Sequence, residues 1–239
     1  MADNKDNLPT KSCDVSSIDT FLKDMNKTPV PFKDGGGGRL VFAMDATASR
    51  EHSWDMAARI QGDMFEATRN IGGLAVQLAF FRGFGEFKVS GWLSDAKEIH
   101  RLMSSVHCLA GQTQVGKVLK HARNQATRSG IRAVVYVGDC FEEDVDLVAH
   151  VAGELGILGV PVFTFHEGHD VNAERAFRHI AKLSGGAYAH FDAASADMLK
   201  KLLSAVAVFA AGGRSALDEY ATLQGGDILQ ITQQMKKGG

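Results

Sequence analysis

Short runs of consecutive apolar residues alternate along this chain with segments in which apolar residues recur every three or four positions. The runs have the length of buried strands, and the periodic segments have the spacing of helices with one buried face. A strand that is apolar throughout needs cover on both sides, which is typical of a parallel sheet between two layers of helices. The pattern therefore predicts an α/β domain with a doubly wound, mostly parallel six-stranded sheet. The apolar runs lie at residues 40–44, 74–81, 133–137, 162–165 and 187–191.

One pair of strands is expected to be antiparallel. The run 74–81 is followed by Gly83 and Gly85, and Phe87 and Val89 then alternate with polar residues. Because this is the pattern of a hairpin, the sheet should carry one antiparallel edge strand.

Polar residues and glycines mark the expected ends of the helices. Ser94 and Asp170 stand where a side chain can cap the first turn of a helix. The last helix is expected to end at Gly212 and Gly213. Another helix is expected between residues 51 and 72, where apolar residues recur every four positions.

The chain length and the positions of its prolines and glycines divide the chain into three parts. The 239 residues suit one large domain. Pro29, Pro31 and the glycines at 35–38 interrupt any helix before the first apolar run. We therefore assign residues 1–38 to an N-terminal extension with a Gly-rich linker, residues 39–213 to the domain and residues 214–239 to a C-terminal tail.

Composition argues against several classes of protein. Lys and Arg total 26 and Asp and Glu total 28, a net charge of −2, which does not suit a protein that binds nucleic acid through bulk positive charge. No apolar run reaches the length of a membrane-spanning helix, and the polar N-terminus shows no secretory signal. Cys13, Cys108 and Cys140 are an odd number of cysteines without metal-binding spacing, which suits reduced thiols. We expect a cytoplasmic protein that contacts neither nucleic acid nor membrane.

Five oxygen-bearing residues stand where a ligand site is expected. Asp45, Thr47 and Ser49 follow the first apolar run, Thr113 precedes a helix, and Asp139 follows the run 133–137. In parallel sheets, ligands bind beyond the carboxyl ends of the strands, so these loops should share one edge. Carboxylates and hydroxyls are hard oxygen donors, which favour Mg²⁺, Mn²⁺ or Ca²⁺ over softer metals.

These three segments resemble the metal-ion-dependent adhesion site (MIDAS) of the von Willebrand factor type A (VWA) domain family. That family carries Asp-x-Ser-x-Ser after the first strand, a lone Thr in a later loop and an Asp after the fourth strand. Asp45, Thr47 and Ser49 match the first element with Thr in place of the middle Ser, and Thr113 and Asp139 match the others. The resemblance covers about residues 39–211, and Cys140 stands where the family often has Gly.

The resemblance implies a function as well as a fold. The hydroxyls of Thr47, Ser49 and Thr113 would bind Mg²⁺ (or Mn²⁺ or Ca²⁺) directly, and Asp45 and Asp139 would act mostly through water. One coordination position would stay open to an Asp or Glu of a partner protein. This predicts a non-catalytic protein-binding module. Intracellular bacterial relatives suggest a partner among the MoxR-type AAA+ ATPases.

Three clusters allow more than one interpretation. Residues 45–49 could cap the helix that follows them. Glu142, Glu143 and Asp144 suit the first turn of a helix, with their charges facing solvent. His166 and His169 could line the rim of the site, hold a second metal, or be loop residues without a ligand role.

An enzyme is the alternative function. A cysteine hydrolase of isochorismatase-like type also places an Asp after its first strand and a Cys after a later one, roles that Asp45 and Cys140 could take with a lysine such as Lys117. A thiol nucleophile needs a group that generates its thiolate. This interpretation leaves Thr47, Ser49 and Thr113 unexplained. A haloacid-dehalogenase phosphatase fits less well, because its second Asp would fall at Thr47.

Overall fold

The computed structural model describes residues 37–50, 73–191 and 196–224 of the chain. Within these ranges the chain forms six strands, five α-helices and one short 3-10 helix at Ala48–Arg50. The N-terminal extension up to residue 36, the helix expected between residues 51 and 72 and the tail beyond residue 224 lie outside the described residues. In chain order the elements are β1 (Gly38–Asp45), β2 (Leu74–Arg82), β3 (Glu86–Leu93), α1 (Ala96–Ser104), α2 (Val115–Ser129), β4 (Ala133–Gly138), α3 (Val145–Ile157), β5 (Val162–Glu167), α4 (Val171–Ser184), β6 (Tyr188–Phe191) and α5 (Ala196–Gln224).

The strands form one sheet in the order β3-β2-β1-β4-β5-β6. Neighbouring strands are parallel except for the β2–β3 pair, which is antiparallel. The predicted six-stranded sheet with one antiparallel edge strand is therefore confirmed. After β3 the chain crosses to the other side of β1 and adds β4, β5 and β6 there. The strand β1 therefore lies in the interior of the sheet, with β2 on one side and β4 on the other.

Alternate residues of β1 face two separate layers of helices. Leu40, Phe42 and Met44 belong to the core beneath α1 and α5, whereas Val41 and Ala43 belong to the core beneath α2, α3 and α4. All five side chains are fully buried, as expected for a strand covered on both faces. The doubly wound arrangement follows from this double burial.

The strand register brings several loops to one edge of the sheet. Asp45 pairs with Phe81 of β2, and Met44 of β1 pairs with Val137 of β4. The loops that follow β1, β4 and β5 therefore leave the sheet on the same side as the turn between β2 and β3. We call this side the carboxyl edge.

The helix ends agree with the sequence pattern at most positions. Asp170 caps α4, as predicted, by accepting a hydrogen bond of 2.6 Å from the Ala173 backbone N–H. The prediction for α1 was wrong by one residue, because Asp95 rather than Ser94 occupies the cap and accepts from the Lys97 N–H at 2.8 Å. Both residue types can cap a helix, and sequence alone did not fix the first helical residue.

Helix α5 is interrupted at the glycine pair that the sequence marks. Gly213 has φ 71° and ψ −161°, outside helical geometry, and the chain then resumes a helix to Gln224. Leu217, beyond the interruption, is buried in the core with β1. Part of the segment predicted as a tail thus packs against the domain. Within the described ranges, no helix is both long and apolar enough to cross a bilayer.

Candidate metal centre

The loop after β1 gathers the first three predicted site residues. Asp45 is the last residue of β1 and is fully buried. Its Oδ1 accepts a hydrogen bond of 2.7 Å from the Thr47 backbone N–H, which turns the chain directly beyond the sheet. The Thr47 Oγ1 lies 3.3 Å from the Ser49 Oγ. The helix that this cluster could alternatively cap lies outside the described residues.

Asp139 joins this cluster from the neighbouring strand. It follows β4, which is paired with β1, and its Oδ2 accepts a hydrogen bond of 2.7 Å from the Ser49 hydroxyl. Its Oδ1 is buried and has no hydrogen-bond partner in the part of the chain that the structure describes. A buried carboxylate oxygen is stabilised by a donor or a cation, so this atom suits a metal site.

Thr113 is bonded to the loop that carries Asp139. Its side chain is buried, and its Oγ1 accepts a hydrogen bond of 3.0 Å from the Glu142 backbone N–H. In return, the Thr113 N–H donates to the Glu142 Oε2 at 3.1 Å. A hydroxyl oxygen has two lone pairs, so one remains for a metal ion. The structure thus ties Thr113 to the loop after β4, three residues beyond Asp139.

Glu143 is a functional candidate that the sequence did not identify. The acidic run was expected in the first turn of α3, but only Asp144 caps that helix, through the Asp146 and Leu147 N–H groups. The Glu143 carboxylate instead accepts from the N–H groups of Val115 and Gly116 at the start of α2, the latter at 2.9 Å. Gln114 occupies the N-cap of α2 and makes no side-chain capping bond, so Glu143 takes the place of the cap. The one signal in the sequence is that glutamine, which is not a preferred capping residue, precedes Val115.

The loop before Thr113 is anchored to two other parts of the carboxyl edge. The Leu109 N–H donates to the Ala46 carbonyl at 3.0 Å, and the Gln112 N–H donates to the Gly83 carbonyl at 3.3 Å. A Cβ at Gly111 would overlap the Gly83 carbonyl group, so only glycine permits this close approach. The hairpin turn, the loop after β1 and the loop before α2 therefore form one connected surface.

The surroundings of Cys140 do not favour a nucleophile. Burial raises the pKa of its thiol above the ordinary value, and the nearby charges of Glu142, Asp170 and Asp139 raise the pKa further. Lys117, the lysine of the cysteine hydrolase alternative, donates through Nζ to the Gly85 carbonyl at 3.1 Å and to Gln114 Oε1 at 2.8 Å. It is therefore engaged at the hairpin, and none of the contacts among the described residues places a base beside Cys140 that would generate its thiolate.

The histidines near the end of β5 are held by aromatic packing. His166 is buried, with Nδ1 3.0 Å from the Tyr188 hydroxyl and its ring edge-on to Phe177 at 5.5 Å. Burial lowers the pKa of His166, with a further contribution from His190. His169 stacks on His190 at 5.2 Å. Among the described residues, no group of three or more His, Cys, Asp and Glu side chains is arranged to hold a metal, so a second metal there has no support.

The donors brought together at the carboxyl edge are all oxygens. Two aspartates and three hydroxyls offer hard ligands and little negative charge, a set that suits Mg²⁺, Mn²⁺ or Ca²⁺ better than a softer metal. Contacts link Asp45, Thr47, Ser49 and Asp139 in series. The residues present therefore fit a divalent cation bound by hydroxyl and carboxylate oxygens.

The comparisons with known proteins find structures of similar fold, but they find no match by sequence. No protein-family model matches the chain, and no curated protein matches it. The pilus adhesin SpaC from Lactobacillus rhamnosus GG is similar in structure, with a TM-score of 0.59 and 13% identity over 79% of this chain. Proximal thread matrix protein 1 from the mussel byssus, described with a zinc-occupied MIDAS motif, has a TM-score of 0.57 and 15% identity over 72% of this chain. The SpRpn10 VWA domain has a TM-score of 0.52 and 12% identity over 77% of this chain.

The share of each compared protein that aligns with this chain differs. The likeness covers 31% of the adhesin, 46% of the thread protein and 95% of the isolated SpRpn10 domain. This chain thus spans less than half the length of the first two proteins. At such identities the likeness concerns the fold alone.

Proposed function

We propose that this chain, whose fold is that of a VWA domain, is a non-catalytic module that binds a partner protein through a divalent cation. The observation that carries the proposal is the junction of the loops after β1 and β4. There the Ser49 hydroxyl bonds Asp139, and the other Asp139 oxygen is buried without a hydrogen-bond partner among the described residues. A cation at this junction would satisfy that oxygen directly or through water.

The proposed ligands are the five residues that the sequence singles out. Thr47, Ser49 and Thr113 would coordinate the ion through their hydroxyls, and Asp45 and Asp139 would support it mostly through water. Mg²⁺ is the proposed ion, because a shell made only of oxygens is its preferred environment, with Mn²⁺ and Ca²⁺ as alternatives. The zinc in the MIDAS motif of the mussel thread protein supports a divalent cation at such a site, without selecting among these ions.

The partner is proposed to supply a carboxylate. Neutral hydroxyl ligands leave most of the charge of a divalent ion uncancelled, so the bound ion would offer a position to an Asp or Glu of another protein. A MoxR-type AAA+ ATPase as that partner, and a cytoplasmic location, remain proposals that rest on family analogy. The free thiols of Cys108 and Cys140 among the described residues are compatible with a reducing compartment.

Exposed apolar side chains on the carboxyl edge support a protein as the partner. Phe84 in the hairpin turn is 86% exposed, Leu147 in the first turn of α3 is 70% exposed, and Val171 at the start of α4 is 67% exposed. These three positions follow β2, β4 and β5, so they lie around the proposed cation. Apolar side chains grouped near a polar site are typical of protein interfaces.

The surroundings of Cys140 support a binding role over the hydrolase alternative. Burial and neighbouring carboxylates raise the pKa of the Cys140 thiol, and Lys117 is engaged with Gly85 and Gln114. An acyl-transfer mechanism at Cys140 needs a thiolate and a base beside it. The described residues offer oxygen donors for a cation instead.

Titration calorimetry of the chelator-stripped protein with MgCl₂ or MnCl₂ tests the proposal. The parent should bind one ion, and Asp45→Ala and Thr113→Ala should each weaken binding by about tenfold or more, since both remove groups of the donor set. Thr127→Ala is the matched control, because Thr127 is an exposed threonine of α2 whose hydroxyl bonds the Asn124 carbonyl. Parent-like metal binding by both site variants would contradict the assignment.

A further inference from the structure

The start of α2 is held by residues of another loop instead of by its own cap. Gln114 is the N-cap residue of α2 and makes no side-chain capping bond. The Glu143 carboxylate takes that place by accepting from the Val115 and Gly116 N–H groups. Since Glu143 stands four residues after Asp139, the loop that carries one proposed ligand fixes the helix that follows another.

Glu142, the residue before Glu143, holds Thr113 itself. The Glu142 main-chain N–H donates to the Thr113 Oγ1 at 3.0 Å, and the Glu142 Oε2 accepts from the Thr113 N–H at 3.1 Å. The two adjacent glutamates therefore hold Thr113 and the first turn of the helix that follows it.

These bonds orient the Thr113 hydroxyl. One lone pair of its oxygen accepts from the Glu142 N–H, so the second lone pair is open to a metal ion. The direction of that lone pair depends on the backbone on both sides of Thr113, and the bonds of Glu143 to Val115 and Gly116 fix the backbone that follows.

We infer that Glu143 is a positioning residue for the cation site, acting through the first turn of α2, which fixes the preceding Thr113, without touching the ion. The inference rests on the proposed function, since it requires a cation bound by Thr113. It assigns a role to a residue whose sequence position suggests only a solvent-facing charge.

The test compares two variants that each remove one negative charge from the same loop. Glu143→Gln keeps only one acceptor oxygen in place of the two that accept from the Val115 and Gly116 N–H groups. Asp144→Asn removes the adjacent charge and keeps a good cap for α3. Mn²⁺ titration of chelator-stripped protein should show binding 10- to 100-fold weaker for Glu143→Gln, as is typical when an outer partner of a ligand is lost. Asp144→Asn should stay within about threefold of the parent, because it changes only the long-range charge.

A second comparison separates positioning from a general loss of structure. Thermal unfolding with chelator present should show that Glu143→Gln remains folded at the titration temperature. If it does not, Glu143→Asp, which keeps the charge on a shorter arm, takes its place and should also bind Mn²⁺ more weakly than Asp144→Asn. Combining Thr113→Val with Glu143→Gln should weaken binding no more than Thr113→Val alone, since both changes act on one ligand.

The outcomes distinguish this inference from the proposed function. If the parent binds Mn²⁺ and Glu143→Gln binds it as tightly as Asp144→Asn does, the cation site stands and the role of Glu143 is wrong. Additive losses in the double variant would likewise overturn the action through Thr113. A parent that binds no divalent cation would overturn both proposals.

Discussion

Asp139 and Cys140 are adjacent in the chain, and the same negative charges favour a cation at Asp139 and disfavour a thiolate at Cys140. Asp139 lies with Asp45 at the carboxyl edge, and its buried Oδ1 lacks a partner among the described residues. The negative charges that favour a cation there also raise the pKa of the Cys140 thiol, after the larger effect of burial. The local potential therefore supports metal binding and disfavours a cysteine nucleophile.

The pH at which Cys140 becomes reactive should be shifted upward, whereas in a catalytic cysteine it is shifted downward. Because its pKa is raised, the folded protein holds less of the reactive thiolate at any given pH than the unfolded chain does. In a Cys13→Ser, Cys108→Ser background with chelator, the pH profile of alkylation by iodoacetamide should have a higher midpoint in the folded protein than in urea. A midpoint below that in urea would indicate an activated thiolate and would favour the hydrolase alternative.

At the scale of single residues, the sequence singled out the proposed donors but not the residues that hold them. Asp45, Thr47 and Ser49 are close in the chain, and the contacts of Asp45 with Thr47 and of Ser49 with Asp139 agree with their predicted grouping. The sequence suggested that Glu143 faces solvent. Its contacts with Val115 and Gly116 could not be seen there, because they join positions 28 and 27 residues apart. Such a contact depends on how two loops meet at the carboxyl edge, which no local pattern encodes.

The loop between α1 and α2 is placed by its neighbours and not by its own structure. Its backbone bonds the loop after β1 through Leu109 and the hairpin turn through Gln112. Gly111 packs directly on the backbone of Gly83. Because Thr113 follows at once, the position of this proposed ligand depends on how closely that glycine approaches the turn.

Replacing Gly111 with Ala should damage both stability and the proposed site. The added Cβ would overlap the Gly83 carbonyl group, and neither backbone can move without breaking the Gln112 bond. We expect a loss of about 1–3 kcal/mol, as for other overpacked sites, together with weaker Mn²⁺ binding. Gly153→Ala is the control, because Gly153 lies inside α3 with open space around its Cβ position, and alanine should stabilise that helix. Urea unfolding and calorimetry measure the two effects, and equal stability of both variants would contradict the expected overlap.

At the scale of elements, periodicity predicted the fold well and the boundaries less well. The fully buried runs of β1 and β4 were recognisable because both faces of each strand are covered. The cap of α1 was misplaced because Ser94 and Asp95 are adjacent and both can cap. The helix beyond Gly213 was missed because its apolar spacing is weak, although Leu217 packs in the core.

The two ends of the sheet differ in the chemistry they present to solvent. The carboxyl edge combines the proposed cation ligands with the exposed side chains of Phe84, Leu147 and Val171. Ile157, at the end of α3, is 89% exposed but lies at the opposite edge. A partner that reaches the cation would cover the first group and leave Ile157 in water.

Binding of a partner should therefore depend on which edge is altered. In pull-downs from the source cells, a protein retained with Mg²⁺ should be released by chelator. Retention should fall when Leu147 is replaced by Asp, because burying a new charge in an interface is costly. Ile157→Asp should have no effect. Equal effects of the two substitutions, or retention in chelator, would contradict docking at the carboxyl edge through a cation.

The contact between β1 and α5 determines when during synthesis this domain can complete its core. Leu40, Phe42 and Met44 are translated early, but they are covered by Leu203, Val206 and Phe209 of the last described helix. Gly38 even lies against the backbone of Ala210, where a Cβ would overlap. A nascent chain therefore exposes one face of its central strand until α5 leaves the ribosome, and contacts so distant in sequence form slowly. A premature stop codon before α5 should give an aggregating product that cells remove, rather than a shorter working domain.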